Sequence, residues 1–245
     1  MRVLLTVEYD GTAYSGWQRQ SNAVSVQEKI EDAICALTGV RVGVTGASRT
    51  DAGVHALGQR VHFDNPGRIP AERYALALNT CLPPDIRVTD SREVPDDFHA
   101  RFCAKGKRYR YLILNRNHAG ALTRNTHMHV SFALDAEKMH REAQALIGTH
   151  DFKAFAASGS VVKDTVRTIT AASVTRTGDE IRIEVEGTGF LYNMVRIIAG
   201  TLTYVGQSKL PEGTLARAIE TGDRLDLGIT APAHGLTLME VFYDL

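Results

Sequence analysis

Two hydrophobic periods alternate along this chain, and their order narrows its fold more than any other feature. Period-two stretches at 2–9, 40–47, 54–63, 85–94, 106–115, 167–176, 180–187 and 237–243 read as strands. Helical stretches lie between them. Ser25-Val26-Gln27-Glu28 is a capping box, and Val26, Ile30, Ala33, Ile34 and Leu37 behind it share one helical face as far as Gly39. Pro70 opens a helix through Tyr74, Leu76 and Leu78. Asp135 caps another that carries Met139, Ala143, Leu146 and Ile147, closed by Gly148. Residues 191–205 read as a strongly apolar helix and 212–220 as a further one, while Gly178-Asp179 turns a hairpin. Strands in runs with helices interspersed predict an α+β fold, not a parallel α/β wheel.

At 245 residues the chain can build one large domain or two small ones. An internal echo favours two halves. Val7-Glu8-Tyr9-Asp10-Gly11-Thr12-Ala13-Tyr14 matches Ile183-Glu184-Val185-Glu186-Gly187-Thr188-Gly189-Phe190 in type, each a strand ending in acid-Gly-Thr and then an aromatic. The expected division is 1–103 and 104–245. No apolar run is long enough to span a membrane, and the opening segment reads as a strand, not a signal peptide. Cys35, Cys81 and Cys103 fit no zinc or disulfide spacing and are expected as buried free thiols in a reducing cytoplasm.

Two segments carry candidate chemistry. In Arg49-Thr50-Asp51-Ala52-Gly53-Val54-His55 a carboxylate sits between an arginine and a tight turn. Asp and Gly are common turn residues, and a turn alone would account for Asp-x-Gly. A carboxylate held and ionised there could also serve as nucleophile or base. The second segment is basic: Arg101, Lys105, Lys107, Arg108, Arg110 and Arg116 follow one another with no acid among them, although the formal net charge of the chain is zero. Phe102, Tyr109 and Tyr111 are interleaved. Cations for phosphates beside rings for bases is the pairing of an RNA groove, where a solvated charged strand is the plainer alternative. Gly43-Val44-Thr45-Gly46 and Gly187-Thr188-Gly189 lack the lysine or third glycine of a nucleotide loop. No histidine pair has metal-ligand spacing beside a carboxylate.

Six segments together resemble the TruA-type tRNA pseudouridine synthases. They are Glu8–Thr12 with Gly16–Gln20; Arg49–Ala56; Phe98–Phe102 with Lys107–Tyr111; Asp151-Phe152 through Arg167–Ile169; Gly189–Arg196 with Gly200–Leu202; and Gly235–Leu238. They occur in family order and span nearly the whole chain. Ser48 stands where the family usually has Gly, and Cys103 where it often has Ser.

The resemblance implies an α+β fold built on an extended, mostly antiparallel mixed sheet flanked by helices, in two similar halves with a cleft between them. It implies isomerisation of uridine to pseudouridine at positions 38, 39 and 40 of the tRNA anticodon stem-loop, a homodimer, and neither cofactor nor metal. By family position Asp51 is the catalytic aspartate, and Arg196 is the cation that keeps it ionised. Tyr109 is the ring that stacks on the target base, and Arg49 enters the RNA to hold the nucleotide out of its stack. Basic residues from Arg101 to Arg116, with Arg19, are candidates for phosphate contacts. The alternatives are an RNA-binding protein without catalysis, which needs neither Asp51 nor Arg196, and a synthase acting at another RNA site.

Overall fold

The structure is a computed structural model that describes residues 1–156 and 164–244. In chain order its elements are β1 (Arg2–Tyr9), α1 (Val26–Thr38), β2 (Thr45–Gly46), β3 (His55–Asp64), α2 (Tyr74–Leu78), β4 (Ile86–Val94), β5 (Gly106–Asn115), β6 (Met128–Val130), α3 (Ala136–Ala143), β7 (Gly148–Asp151), β8 (Val166–Thr177), β9 (Glu180–Gly187), α4 (Met194–Gly206), α5 (Thr214–Thr221) and β10 (Leu236–Phe242). The fold is α+β, as the hydrophobic periods predict, with the mostly antiparallel pairing that the resemblance implies. Residues 157–163, inside the fourth motif of the resemblance, lie outside the described residues.

The chain divides into two compact units, 1–105 with 237–245, and 106–236. In the first, strands run in the order β4-β1-β3-β10 with β2 pairing β3. Strands β3 and β4 are both antiparallel to β1, whereas β10 joins β3 in parallel through Thr237↔His55 and Leu238↔Ala56. The last strand of the chain is thus part of the first unit. Tyr243 reinforces this, its hydroxyl donating to the Ala100 carbonyl at 2.5 Å. Helix α1 starts as expected, with Ser25 Oγ accepting the Glu28 N–H, and ends at Gly39. Of the stretch 40–47, expected to be extended, only Thr45 and Gly46 find a partner strand.

In the second unit the order is β5-β9-β8-β7, with β6 parallel to the end of β5. Strand β7 covers only the first four residues of β8. Beyond it, side chains of α3 satisfy the strand edge: Gln144, just past the helix, donates to the Ala172 carbonyl, and His140 Nδ1 accepts the Val174 N–H. A covered edge does not recruit foreign strands. Buried Glu142 of the same helix accepts the N–H groups of Gly213 and Leu215, capping α5 at 2.7 and 2.6 Å.

The internal echo occupies equivalent places. Strand β1 lies between antiparallel β3 and β4, and β9 between antiparallel β5 and β8. A long helix follows each, α1 and α4. At the matched glycines a methyl group would stand 2.1 Å from the Val54 carbonyl (Gly11) and 2.6 Å from that of Thr168 (Gly187). Both strand ends therefore run too close to a neighbouring backbone for any side chain.

The cysteines differ from expectation. Cys81, in the turn after α2, is exposed; Cys35, in the last turn of α1, and Cys103, in the loop between β4 and β5, are half-buried, since none points fully into the core.

One core histidine makes stability pH-dependent. His62 on β3 is 7% exposed, and its Nδ1 accepts the Ala100 N–H at 3.1 Å. Burial first, then the nearby His99 and Arg2, push it down to about 4 from the usual 6.5. The unfolded chain therefore takes up this proton before the native one does. The contribution of neutral His62 is complete above pH 6.5 and is lost as pH falls towards 4, up to about 3 kcal/mol. Urea unfolding at pH 7, 5 and 4 should show His62→Gln losing less stability on acidification than the wild type. Equal losses would clear His62 of the effect.

Candidate active site

Asp51 lies in the loop that leads into β3, and four neighbours fix that loop. Buried Gln59 of β3 brackets its start, accepting the Ser48 N–H at 3.1 Å and donating to the Ser48 carbonyl at 2.7 Å. Thr50 is buried, and its Oγ1 shares a 2.6 Å hydrogen bond with the Tyr9 hydroxyl. The Thr50 carbonyl accepts the Trp17 N–H at 3.0 Å. The Val54 N–H closes the turn on the Asp51 carbonyl at 3.1 Å. Asp51 itself is half-buried at this turn.

Gly16 presses against the same loop. Its φ is +90°, and a methyl there would stand 2.7 Å from the Thr50 carbonyl oxygen and 3.2 Å from the Asp51 carbonyl carbon. Only glycine combines that backbone conformation with that approach. Trp17, 2% exposed, is anchored in turn, its carbonyl accepting the Gln27 N–H in the first turn of α1. Behind it lies a buried carboxylate. Glu31 accepts the Arg19 guanidinium and the Gln27 side-chain amide, both at 2.9 Å, and the Val44 N–H at 3.2 Å. A carboxylate this deep in the fold is tolerated because it is paired and hydrogen-bonded.

Arg19, expected as a phosphate contact, pairs with Glu31 while its backbone N–H donates to Gln27 Oε1, so it also ties the 16–20 segment to α1. Arg49 is exposed on the Asp51 loop, with no hydrogen bond or ion pair to a described residue.

Tyr109 and Arg196 belong to the second unit. Tyr109 on β5 is 7% exposed and meets Phe190 edge-on, ring centroids 5.1 Å apart. Tyr111, grouped with it in the sequence as a base-facing ring, is wholly buried. Its hydroxyl donates to the Pro232 carbonyl at 2.8 Å. A period-two strand puts residues 109 and 111 on the same face, where Tyr111 is fully enclosed and Tyr109 keeps a small exposed part. Arg110 pairs with Glu184 directly across β5 and β9, Nε and NH2 both about 3 Å from Oε1.

Arg196 is the third residue of α4. Asn193, with φ +62°, starts that helix and accepts an Arg196 N–H at 2.8 Å, while Nε donates to the Ala231 carbonyl at 2.8 Å. The Ala231 N–H returns to the Arg196 carbonyl at 3.0 Å. The guanidinium is thus half-buried and held on two sides. Among the described residues no cluster of His, Cys, Asp and Glu has the makings of a metal site.

Gln59, Gly16 and Asn193 are missing from the sequence-derived site. Gly16 and Trp17 stand out in sequence as a small-aromatic pair ahead of a capping box, but nothing local marks Gln59.

A sequence profile described as tRNA pseudouridine synthase matches residues 5–103 and 143–244. A tRNA pseudouridine synthase A of Acetivibrio thermocellus is 54% identical over 241 residues, covering 98% of this chain and 99% of that protein. One of Ruminiclostridium cellulolyticum is 51% identical over 243 residues, covering 99% of each. Among solved structures, a chain of a Cbf5-Nop10-Gar1 complex aligns with a TM-score of 0.43 and 12% identity, over 98% of this chain and 50% of that one.

Proposed function

The chain belongs to the tRNA pseudouridine synthase A family of isomerases, and on that premise we propose that it converts uridine to pseudouridine at positions 38, 39 and 40 of the tRNA anticodon stem-loop, with Asp51 as nucleophile. The observation that carries the role of Asp51 is its loop, pinned by Tyr9, Gly16, Trp17 and Gln59. A reacting carboxylate must be aimed, and fixing the backbone before substrate arrives avoids an ordering cost at the barrier.

The reaction breaks the N1–C1′ bond, turns the uracil and joins C5 to C1′. C5 loses a proton, N1 gains one, and no redox change occurs. Asp51 can add to C6 of the ring or attack C1′ of the ribose. Removal of the C2′ proton is the third course open to a carboxylate. All three require the ionised form. Arg196 is the cation assigned to keep it so, Tyr109 the ring assigned to stack on the base, and Arg49 the side chain assigned to hold the nucleotide out of its helix. Uridine in a stack hides C5 and C6, so the base must be everted, at a cost of a few kcal/mol. The working unit proposed is a homodimer in the cytoplasm. No described helix is long and apolar enough to cross a membrane.

The test is tritium release from C5-labelled uridine in a tRNA transcript, followed by mapping of the modified positions. An RNA-binding protein without catalysis releases none, and a synthase for another site modifies other positions. Deuterium at C2′ slows the reaction by a primary isotope effect only if that proton is removed in the rate-limiting step.

Arg196→Ala should lower turnover by about 10²–10³-fold, the usual effect of deleting one preorganised charge donor. Its hydrogen bonds to Asn193 and Ala231 go as well, so stability should drop by roughly 1–3 kcal/mol without loss of the fold. Turnover near the wild-type value would remove Arg196 from the reaction.

A further inference from the structure

Three rings are interleaved with the basic run, and the structure separates them. Tyr109 and Tyr111 are buried, whereas Phe102 is 77% exposed. Phe102 lies flat on the imidazole of His99, centroids 4.2 Å apart and planes 28° from parallel. From this geometry we propose that Phe102, backed by His99, is a stacking platform for an unpaired base of the tRNA. The proposal rests on the reading that tRNA is the substrate, and it gives that substrate a contact separate from the chemistry of Asp51.

The platform is built to be rigid. His99 Nδ1 lies 3.2 and 3.3 Å from the backbone N–H groups of Arg101 and Phe102, which donate to it, and the His99 N–H donates to Cys103 Sγ at 3.3 Å. Below the rings, Ala100 is fixed by His62 on its N–H and by the Tyr243 hydroxyl on its carbonyl. The Phe98 carbonyl accepts the Arg2 guanidinium at 2.8 Å. Folding has therefore already fixed the loop from 98 to 103. A ring held this way loses little freedom when a partner stacks on it.

The occupant follows from the chemistry beside the ring. Every base has a π-face, and aromatic platforms next to cations are how single-stranded RNA is held. Arg101 adjoins Phe102, is exposed, and its guanidinium makes no ion pair with a described residue. Of the acids at the start of the loop, Asp96 lies 3.5 Å from the N-terminal ammonium. An open ring with a cation at its side suits a nucleobase and its phosphate.

Binding of an unmodified tRNA transcript, at several salt concentrations, tests this. Phe102→Ala should weaken binding about 5- to 100-fold, with the salt slope unchanged. Phe102→Trp should restore affinity, and Arg101→Ala should reduce the salt slope by about one. A fully paired RNA duplex of equal length should not distinguish F102A from the wild type. Because the ring is exposed, unfolding midpoints should stay together. Unchanged tRNA affinity in F102A overturns the proposal. So does elution of F102A at a smaller mass than the wild type, which would make Phe102 a contact with a second copy of the chain. Tritium release by the wild type separates this from the catalytic reading. Release with unchanged F102A affinity removes the platform alone, and no release with weakened F102A affinity removes the isomerase reading alone.

Discussion

Asp51→Ala and Asp51→Asn should each reduce tritium release from C5-labelled tRNA by at least about 10³-fold, while unfolding midpoint and tRNA affinity stay close to the wild type. Loss on that scale is expected when the group that reacts with substrate is removed. The Asn variant is the sharper of the two. It keeps the size of the side chain and removes its charge, and all three courses open to a carboxylate need that charge. The fold should tolerate either change because the loop is fixed by other groups: Gln59 on Ser48, Tyr9 on Thr50, Trp17 on the Thr50 carbonyl, and Val54 on the Asp51 carbonyl. Activity in Asp51→Asn within tenfold of the wild type would end the assignment.

The second large effect is at a residue with no side chain. Gly16→Ala places a methyl group 2.7 Å from the Thr50 carbonyl oxygen at a backbone φ of +90°, so the peptide of Thr50 and Asp51 must move. A displacement of this kind next to a reacting group costs about 10²-fold in turnover. The loss should fall mainly on kcat, with KM for tRNA less altered, because the RNA contact proposed at Phe102 is untouched. Stability should also decrease by roughly 1–3 kcal/mol from the strained backbone. Trp17 reports the event directly. It is the single tryptophan of the chain and is 2% exposed, so its emission should shift to the red as the loop opens. Wild-type kcat with an unaltered spectrum would show that Gly16 does not set the position of the aspartate.

Much of this was legible in sequence because the signals were local. The Ser25 cap, the Gly39 stop, the Asp135 cap and the Gly178-Asp179 hairpin are each written within a few residues, and each appears at its expected place. What escaped was non-local. Val40, Val42 and Val44 alternate like a strand, yet β2 is only Thr45 and Gly46, since a strand needs a partner and β3 meets it only at Val61 and His62. Strand β6 is three residues long and exists by pairing with the end of β5. The basic run showed its charge but not its partners. Arg110 reads as free until Glu184 is found opposite, 74 residues away in sequence. Tyr111 reads as a base-stacking ring until its hydroxyl is found on the Pro232 carbonyl, with the ring fully enclosed. Asp51 stood out through its neighbours in sequence, whereas Gln59, which holds the loop, did not, because a lone glutamine in a strand carries no mark of the carbonyl it will serve.

The parallel seat of β10 beside β3 has a consequence for synthesis. The first 105 residues leave the ribosome without their last strand. The residues that complete that unit follow only after the whole of 106–236, roughly 7–26 seconds later at about 5–20 residues per second. During that interval the hydrogen-bonding row of β3 at His55 and Ala56, immediately after the Asp51 loop, has no partner from β10. A chain stalled before residue 237 therefore leaves β3 with an open edge at His55 and Ala56, just past the Asp51 loop, of the kind that recruits foreign strands.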